Sequence, residues 1–256
     1  MQMLTAIARE ISPAIARCAL THIERQPIDY ELACAQHRAY VQCLNHLGCE
    51  VVTLPAEPDL PDSVFVEDAA IVLDEVAIIT RPGHEMRRSE TPSIEEALQP
   101  YRPIERIDAP ATLDGGDVLI VGRTIYVGLS QRTNEAGLAD LHRILAPHGY
   151  TIRGLPIDAC LHLKSACTHV GRKTLLINRQ WVDAGAFAGL DLLDINEDEP
   201  DAANALPIGD AIVYPAAFTK TRRCLEDKGF KVVPVDLSEL AKAEGAVTCC
   251  SLIFRS

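Results

Sequence analysis

The sequence predicts an α/β protein in which repeated units, each bearing a strand–turn–strand segment, close into a ring. The primary observation is spacing. Asp68, Asp114, His162, Asn204 and Cys249 occupy similar points of successive segments, separated by 46, 48, 42 and 45 residues. A helical stretch follows several of these segments, and a further strand-like run follows the helix. An ordinary doubly wound sheet also alternates strands and helices. The ring is favoured because each unit has two adjacent strands and the chain lacks a glycine-rich nucleotide-binding turn. In a closed ring, equivalent points face a common centre, so carboxylates, an imidazole and a thiol far apart in sequence converge there.

The elements follow in order. Ala69-Ala70-Ile71-Val72-Leu73 and Val76-Ala77-Ile78-Ile79 flank the polar pair Asp74-Glu75, the pattern of a hairpin. A helix is expected from about Pro92 to Leu98, with Pro92 in the first turn, where a missing amide proton costs little. Val118 to Val121 and Thr124 to Val127 form the second hairpin across Gly122-Arg123. Leu138, Leu141, Ile144 and Leu145 have helical spacing, with Thr133 or Asn134 as cap and Gly149 as stop. The third hairpin turns at Gly171-Arg172 before Leu175-Leu176-Ile177, and the fourth near Gly209-Asp210 before Ala211 to Tyr214. Thr219 to Lys228 reads as a helix stopped by Gly229, and Val232-Val233-Pro234-Val235 as the strand after it.

A chain of 256 residues is long enough for one substantial core, and with no low-complexity linker residues 1–256 are expected to form a single domain. Although 48% of residues are hydrophobic, no uninterrupted apolar run approaches the length of about 18 that a membrane span needs. The first residues include Arg9, Glu10 and Arg17 and lack a secretory pattern, so a cytoplasmic location is the expectation. The formal charge of −12 argues against nucleic-acid binding, which needs clustered Lys and Arg, and favours approach of a cationic ligand. Nine cysteines, an odd number without compact spacing, suggest reduced thiols rather than a disulfide framework.

Among reactive groups, Cys249 and Cys250 follow Gly245-Ala246-Val247-Thr248. On a strand their side chains would point to opposite faces, and the repeat position favours Cys249 for the centre. His162, in the strand-like run Cys160 to Ser165, is either a hydrogen-bonded core histidine or an acid and base beside a nucleophilic thiol. Asp114, in Leu113-Asp114-Gly115-Gly116-Asp117, would position that imidazole or hold a cationic substrate. Its Gly-Gly step suits close backbone approach, and equally a turn. Glu67 and Asp68 stand at an apparent strand start, either solvated or facing a guanidinium, whose planar donors match carboxylate oxygens. Arg87, Arg88 and Arg132 are candidates for a substrate carboxylate, or are solvated surface arginines. Cys160-x-His162 and Cys167-x-His169 offer a zinc set, but the spacing is not the looped pattern of structural sites, and a metal-free site is preferred.

At these residues the sequence resembles the dimethylarginine dimethylaminohydrolase family of the guanidino-modifying, or pentein, superfamily. The matching stretches are Leu60 to Asp68, Ile79 to Gly83, Leu113 to Leu119, Val127 to Asn134, Leu161 to Ser165 and Thr248 to Ser251, in family order over most of the chain. The resemblance implies a five-bladed α/β propeller of pseudo-symmetric ββαβ repeats with the active site on its axis. It implies Cys249 as nucleophile and His162 as acid and base, with Asp114 as the associated carboxylate. It also implies Glu67 and Asp68 at the guanidinium end of the substrate, Asp62, Arg87 and Arg132 at the amino-acid end, and Leu20 in a covering loop. The implied activity is hydrolysis of methylated arginines to citrulline and a methylated amine without cofactor or metal. The alternatives are a deiminase acting on arginine or another guanidino compound, and a silent guanidino-binding protein. A homodimer is compatible with either enzyme reading.

Overall fold

The computed structural model describes residues 3–256, which form five three-stranded sheets arranged as an α/β propeller. Strand β1 (Leu4–Arg9) is followed by helix α1 (Tyr30–His46) and β2 (Cys49–Leu54), which lies parallel to β1 with Ala6 opposite Val51. The next blade is β3 (Ala70–Val72), β4 (Ala77–Ile79), α2 (Thr91–Leu98) and β5 (Ile104–Arg106). Here β3 and β4 are antiparallel and β5 returns parallel to β4. The same ββαβ order recurs in β6 (Val118–Val121), β7 (Thr124–Leu129), α3 (Glu135–Leu145) and β8 (Thr151–Pro156).

The single-turn helix α4 (Leu163–Ala166) leads into the blade of β9 (Cys167–Gly171), β10 (Thr174–Ile177) and β11 (Asp191–Asp194), where a 3-10 turn at Ala184–Phe187 replaces the crossover helix. β12 (Leu206–Ile208), β13 (Ala211–Pro215), α5 (Thr219–Asp227) and β14 (Lys231–Val235) complete the fourth repeat. After α6 (Ser238–Ala241), the final strand β15 (Leu252–Arg255) pairs antiparallel with β1, Ile253 opposite Ala6. The first and last strands thus share a blade, and their pairing closes the ring.

Local chemistry explains the elements. Asn134 caps α3 by accepting from the Gly137 amide at 2.8 Å, and Gly149 ends the following 3-10 turn at φ 72°, a left-handed conformation suited to glycine. The third hairpin turns at Arg172 and Lys173, one residue later than the sequence suggests, with both φ positive (50° and 59°) as the strand twist requires. Leu141, Ile144 and Leu145 of α3 pack on Ile125, Val127 and Ile152 of their sheet. Each such burial contributes roughly 1.5–3 kcal/mol before entropy is counted.

Three segments depart from their sequence expectation. Glu67 and Asp68 lie on a 3-10 turn, Val66–Ala69; His162 caps α4; and Cys249-Cys250 lie in a turn before β15. Each has apolar neighbours because the centre of the ring is buried, and so each resembles a strand in sequence. Helix α1, the longest, is not anticipated from the apolar spacing.

Candidate active site

The site is assembled from turns that immediately precede the first strand of successive blades. In the turn Val66–Ala69, Asp68 is buried, and its Oδ1 accepts the Gly116 amide at 2.9 Å while its Oδ2 takes Arg87 Nη1 at 2.6 Å. Burial opposes the charge of Asp68, but His162 and Arg87 outweigh it and hold the carboxyl well below the usual range. Asp68 therefore faces the centre of the ring as a permanent anion.

His162 is bracketed by carboxylates. Its Nε2 lies 3.1 Å from Asp114 Oδ2, and its Nδ1 lies 3.8 Å from Asp68 Oδ1. Asp114 is itself fixed by the Gly83 amide, which donates to Oδ1 at 2.8 Å, and has no exposed surface. Burial alone would lower the imidazole pKa; Asp68, the bond to Asp114 and the charge of Asp117 reverse this and raise it to about 9. His162 is thus an imidazolium at neutral pH, ready to give a proton away.

Asp117 has no role in the sequence reading, yet it fastens this group together. Oδ1 accepts the Leu163 amide at 2.9 Å, and Oδ2 accepts the Ser130 and Thr133 hydroxyls at 2.6 and 2.7 Å. Burial raises its pKa to about 6, against the pull of His162 and the two hydroxyls. Its signal was present in the Gly-Gly-Asp run but was indistinguishable from a turn residue.

The thiol enters from the last turn of the chain. Tyr40 of α1, fully buried, donates its hydroxyl to the Val247 carbonyl at 2.8 Å and lies 2.6 Å from Ser251 Oγ, bracketing the turn. Asn204 and Thr248 exchange hydrogen bonds of 3.0 and 3.1 Å beside it. Cys249 lines the central cavity, whereas Cys250 is fully buried among apolar neighbours of α1. Burial, with the charges of Glu67 and Asp68, raises the Cys249 thiol to about 12. The free protein therefore holds Cys249 as a thiol.

The cavity is lined by Ala19, Asp62, Phe65, Asp68, Arg87, Arg132, Leu161, His162, Ala243, Glu244 and Cys249, and its volume is only about 20 Å³. That is room for about one water. The structure thus brings together Cys249, His162, Asp68, Asp62, Arg87 and Arg132. Asp114 stands behind His162. Glu67 is turned away: its carboxylate binds Lys164 Nζ at 2.5 Å and the Thr248 hydroxyl at 2.7 Å and does not line the cavity. Leu20 packs on the core beside α1 instead of lining the cavity. Arg88 bonds the Pro82 carbonyl and Glu85, outside the site. Arg87 is largely consumed internally, with Nε and Nη2 on Glu90 and Nη1 on Asp68.

The zinc alternative does not assemble. Cys160 and Cys167 pack in an apolar cluster with Leu163 and Phe187, while the His162 ring turns to Asp114. A different trio, Asp68, Asp114 and His162, brings its ligand atoms within 4.8 Å of one another, but those atoms already bond to each other and to backbone amides.

The Gly115-Gly116 step serves close approach. A Cβ on Gly116 would sit 2.5 Å from His162 Nδ1 and 2.8 Å from Asp68 Oδ1, and one on Gly115 would sit 1.9 Å from the Glu67 carbonyl. Gly116→Ala is therefore expected to displace the imidazole and lower kcat/KM by roughly 10²-fold, the cost of a misplacement of about 1 Å. Steady-state kinetics beside a thermal melt check this; wild-type activity would show that the imidazole position is not critical.

Comparisons with known proteins fit this geometry. The family model described as N,N dimethylarginine dimethylhydrolase, eukaryotic, matches residues 19–185. A Pseudomonas aeruginosa protein named N(G),N(G)-dimethylarginine dimethylaminohydrolase is 38% identical over 228 residues, covering 88% of this chain and 90% of the relative. A Streptomyces coelicolor protein of the same name is 41% identical over 251 residues, covering 98% of this chain and 96% of the relative. A solved structure described as DDAH from Pseudomonas aeruginosa, a mutant complexed with citrulline, matches with a TM-score of 0.94 at 36% identity. It covers 98% of this chain and all of the solved one.

Proposed function

Because the chain belongs to the dimethylarginine dimethylaminohydrolase family, we propose that it hydrolyses N-omega-methylated arginines to citrulline and a methylated amine. One observation carries this reading: a thiol, a carboxylate-paired imidazolium and an anionic Asp68 line one cavity with two arginines. Asp68 holds the guanidinium plane. Asp62 takes the α-ammonium and Arg132 the α-carboxylate, with Arg87 adding positive charge and orienting Asp68.

The chemistry follows from the charges. A guanidinium carbon is deactivated by delocalisation, so attack needs a thiolate held close to an oriented cation. Entry of the substrate cation offsets the acids that suppress ionisation of Cys249, and the thiol proton leaves to solvent. Sγ bonds to the guanidinium carbon, and imidazolium His162 protonates the departing dimethylamine, leaving a thiouronium on Cys249. Neutral His162 then takes a proton from water as the water oxygen bonds to the same carbon. Collapse of that intermediate breaks the C–S bond, releases citrulline and restores the thiol by reprotonation. Glu67 acts from below, through the charge that it and Lys164 place near Cys249.

The nine cysteines are all unpaired, which supports a reducing, cytoplasmic setting, and among the described residues no helix is long and apolar enough to cross a membrane. The test is product identification by mass spectrometry with arginine, monomethylarginine and asymmetric dimethylarginine in competition. Citrulline with dimethylamine or methylamine is the expected result. Preferential release of ammonia from arginine would make the protein a deiminase, and binding without product would remove the hydrolytic role.

A further inference from the structure

With a cavity of about 20 Å³, an arginine side chain can neither enter nor leave without movement of the wall. One lining residue, Ala19, belongs to the segment from Cys18 to Arg25, which has neither helix nor strand between the first 3-10 turn and α1. Its two ends are joined by Arg25, whose guanidinium bonds the Ala16 and Cys18 carbonyls at 2.6 and 2.5 Å. The segment is thereby a closed loop with a stapled base.

What holds this loop down comes from the opposite end of the chain. The Glu244 carboxylate accepts three consecutive backbone amides, from Thr21 at 2.8 Å, His22 at 2.6 Å and Ile23 at 3.1 Å. Successive amides converging on one anion form a cradle, and bonds to a charged acceptor are stronger than neutral ones. The same loop also touches the groups proposed for the amino-acid end of the substrate. Thr21 Oγ1 accepts Arg132 Nη2 at 2.9 Å, and the Ala19 amide donates to Asp62 Oδ2 at 3.1 Å. Glu244 itself lines the cavity and adopts a left-handed φ of 58°, uncommon for a residue with a side chain.

We infer that Glu244 is a positioning residue: its carboxylate clamps residues 21–23 beside the cavity that Ala19 and Glu244 line and, through Thr21, sets Arg132 for the substrate carboxylate. Its effect on turnover rests on the function proposed above; its hold on the loop does not. Opening of the clamp admits the substrate; once it closes, Thr21 holds one donor of Arg132 and leaves the remaining guanidinium donors for the substrate carboxylate. When it closes, water is excluded from the thiouronium except for the one that attacks.

The test measures backbone amide exchange in the ligand-free protein, comparing wild type with E244Q and E244G. The glycine variant also removes the left-handed strain, so it stays informative if E244Q is unstable. Exchange at Thr21, His22 and Ile23 should accelerate on the order of tenfold in both, with the amides of α1 unchanged. Alkylation of Cys249 by iodoacetamide, mapped by peptide mass, should accelerate in parallel. With asymmetric dimethylarginine, KM should rise severalfold while kcat stays within about twofold. Wild-type exchange at those three amides in both variants would overturn the clamp. Accelerated exchange in a protein that turns over no methylarginine would retain the clamp and overturn the activity.

Discussion

Cys249→Ser is expected to give a folded protein whose turnover of asymmetric dimethylarginine falls by roughly 10⁴-fold or more, the scale on which removal of a covalent nucleophile acts. A serine hydroxyl is isosteric enough to keep the turn, which is held by Tyr40, Asn204 and Thr248 and not by the sulfur. Its far higher pKa, in a cavity that already suppresses ionisation, leaves no competent anion. Mass spectrometry after rapid quenching should find a thiouronium adduct on the wild-type cysteine and none on the variant. Cys250→Ser is the matched control. Cys250 is buried against the core and donates weakly to the Ala246 carbonyl at 3.6 Å, so its loss should lower the melting temperature and spare activity. Normal turnover by the Cys249 variant would remove that residue from the mechanism.

The suppressed ionisation makes a further demand on the same residue. With the free thiol pushed up to about 12 by burial and by Glu67 and Asp68, alkylation of Cys249 in the empty protein should be slow at neutral pH and climb steadily on the alkaline side. Reactivity at neutral pH then depends on a cation in the cavity, which is the electrostatic reason for a strongly acidic centre in a thiol enzyme.

Much of this was legible before any coordinates. A repeat of about 45 residues fixed the blades, and apolar runs around short polar turns fixed the hairpins, because a half-buried strand and a tight turn each leave a local signature. Residues at the repeat's equivalent points also come together: Asp68, His162 and Cys249 line one cavity, while Asp114 and Asn204 stand one layer behind. What stayed hidden is tertiary. Nothing local distinguishes Glu67, bound to Lys164 and Thr248, from Asp68, which faces the cavity. Asp117 and Glu244 owe their importance to amides supplied by other segments, Leu163 for one and Thr21 to Ile23 for the other. The turns bearing the reactive groups read as strands because burial at the axis demands apolar neighbours whatever the backbone does. Helix α1 presents an apolar face too interrupted to stand out from sequence, yet it supplies Tyr40 to the turn that bears Cys249.

His162→Ala is expected to lower kcat by roughly 10²- to 10⁴-fold, the range for loss of a positioned acid and base, because dimethylamine is a poor leaving group until protonated. The sharper experiment is Asp114→Asn. The carboxylate bonds Nε2 at 3.1 Å and helps to raise the imidazole to about 9, so wild-type activity should fall on the alkaline side as the imidazolium is lost near that pH. An asparagine can still accept the Gly83 amide, but its NH₂ group facing Nε2 favours the neutral ring. The alkaline limb should therefore move to lower pH. Stability should move in the same sense. A pKa raised from 6.5 to about 9 by folding contributes stability that is complete below 6.5 and disappears as pH rises through 9. Melting temperatures of wild type and His162→Ala should accordingly converge as pH rises, apart from the packing cost of the lost ring. An alkaline limb unmoved in Asp114→Asn would mean that the proton delivered to the amine does not come from this imidazole.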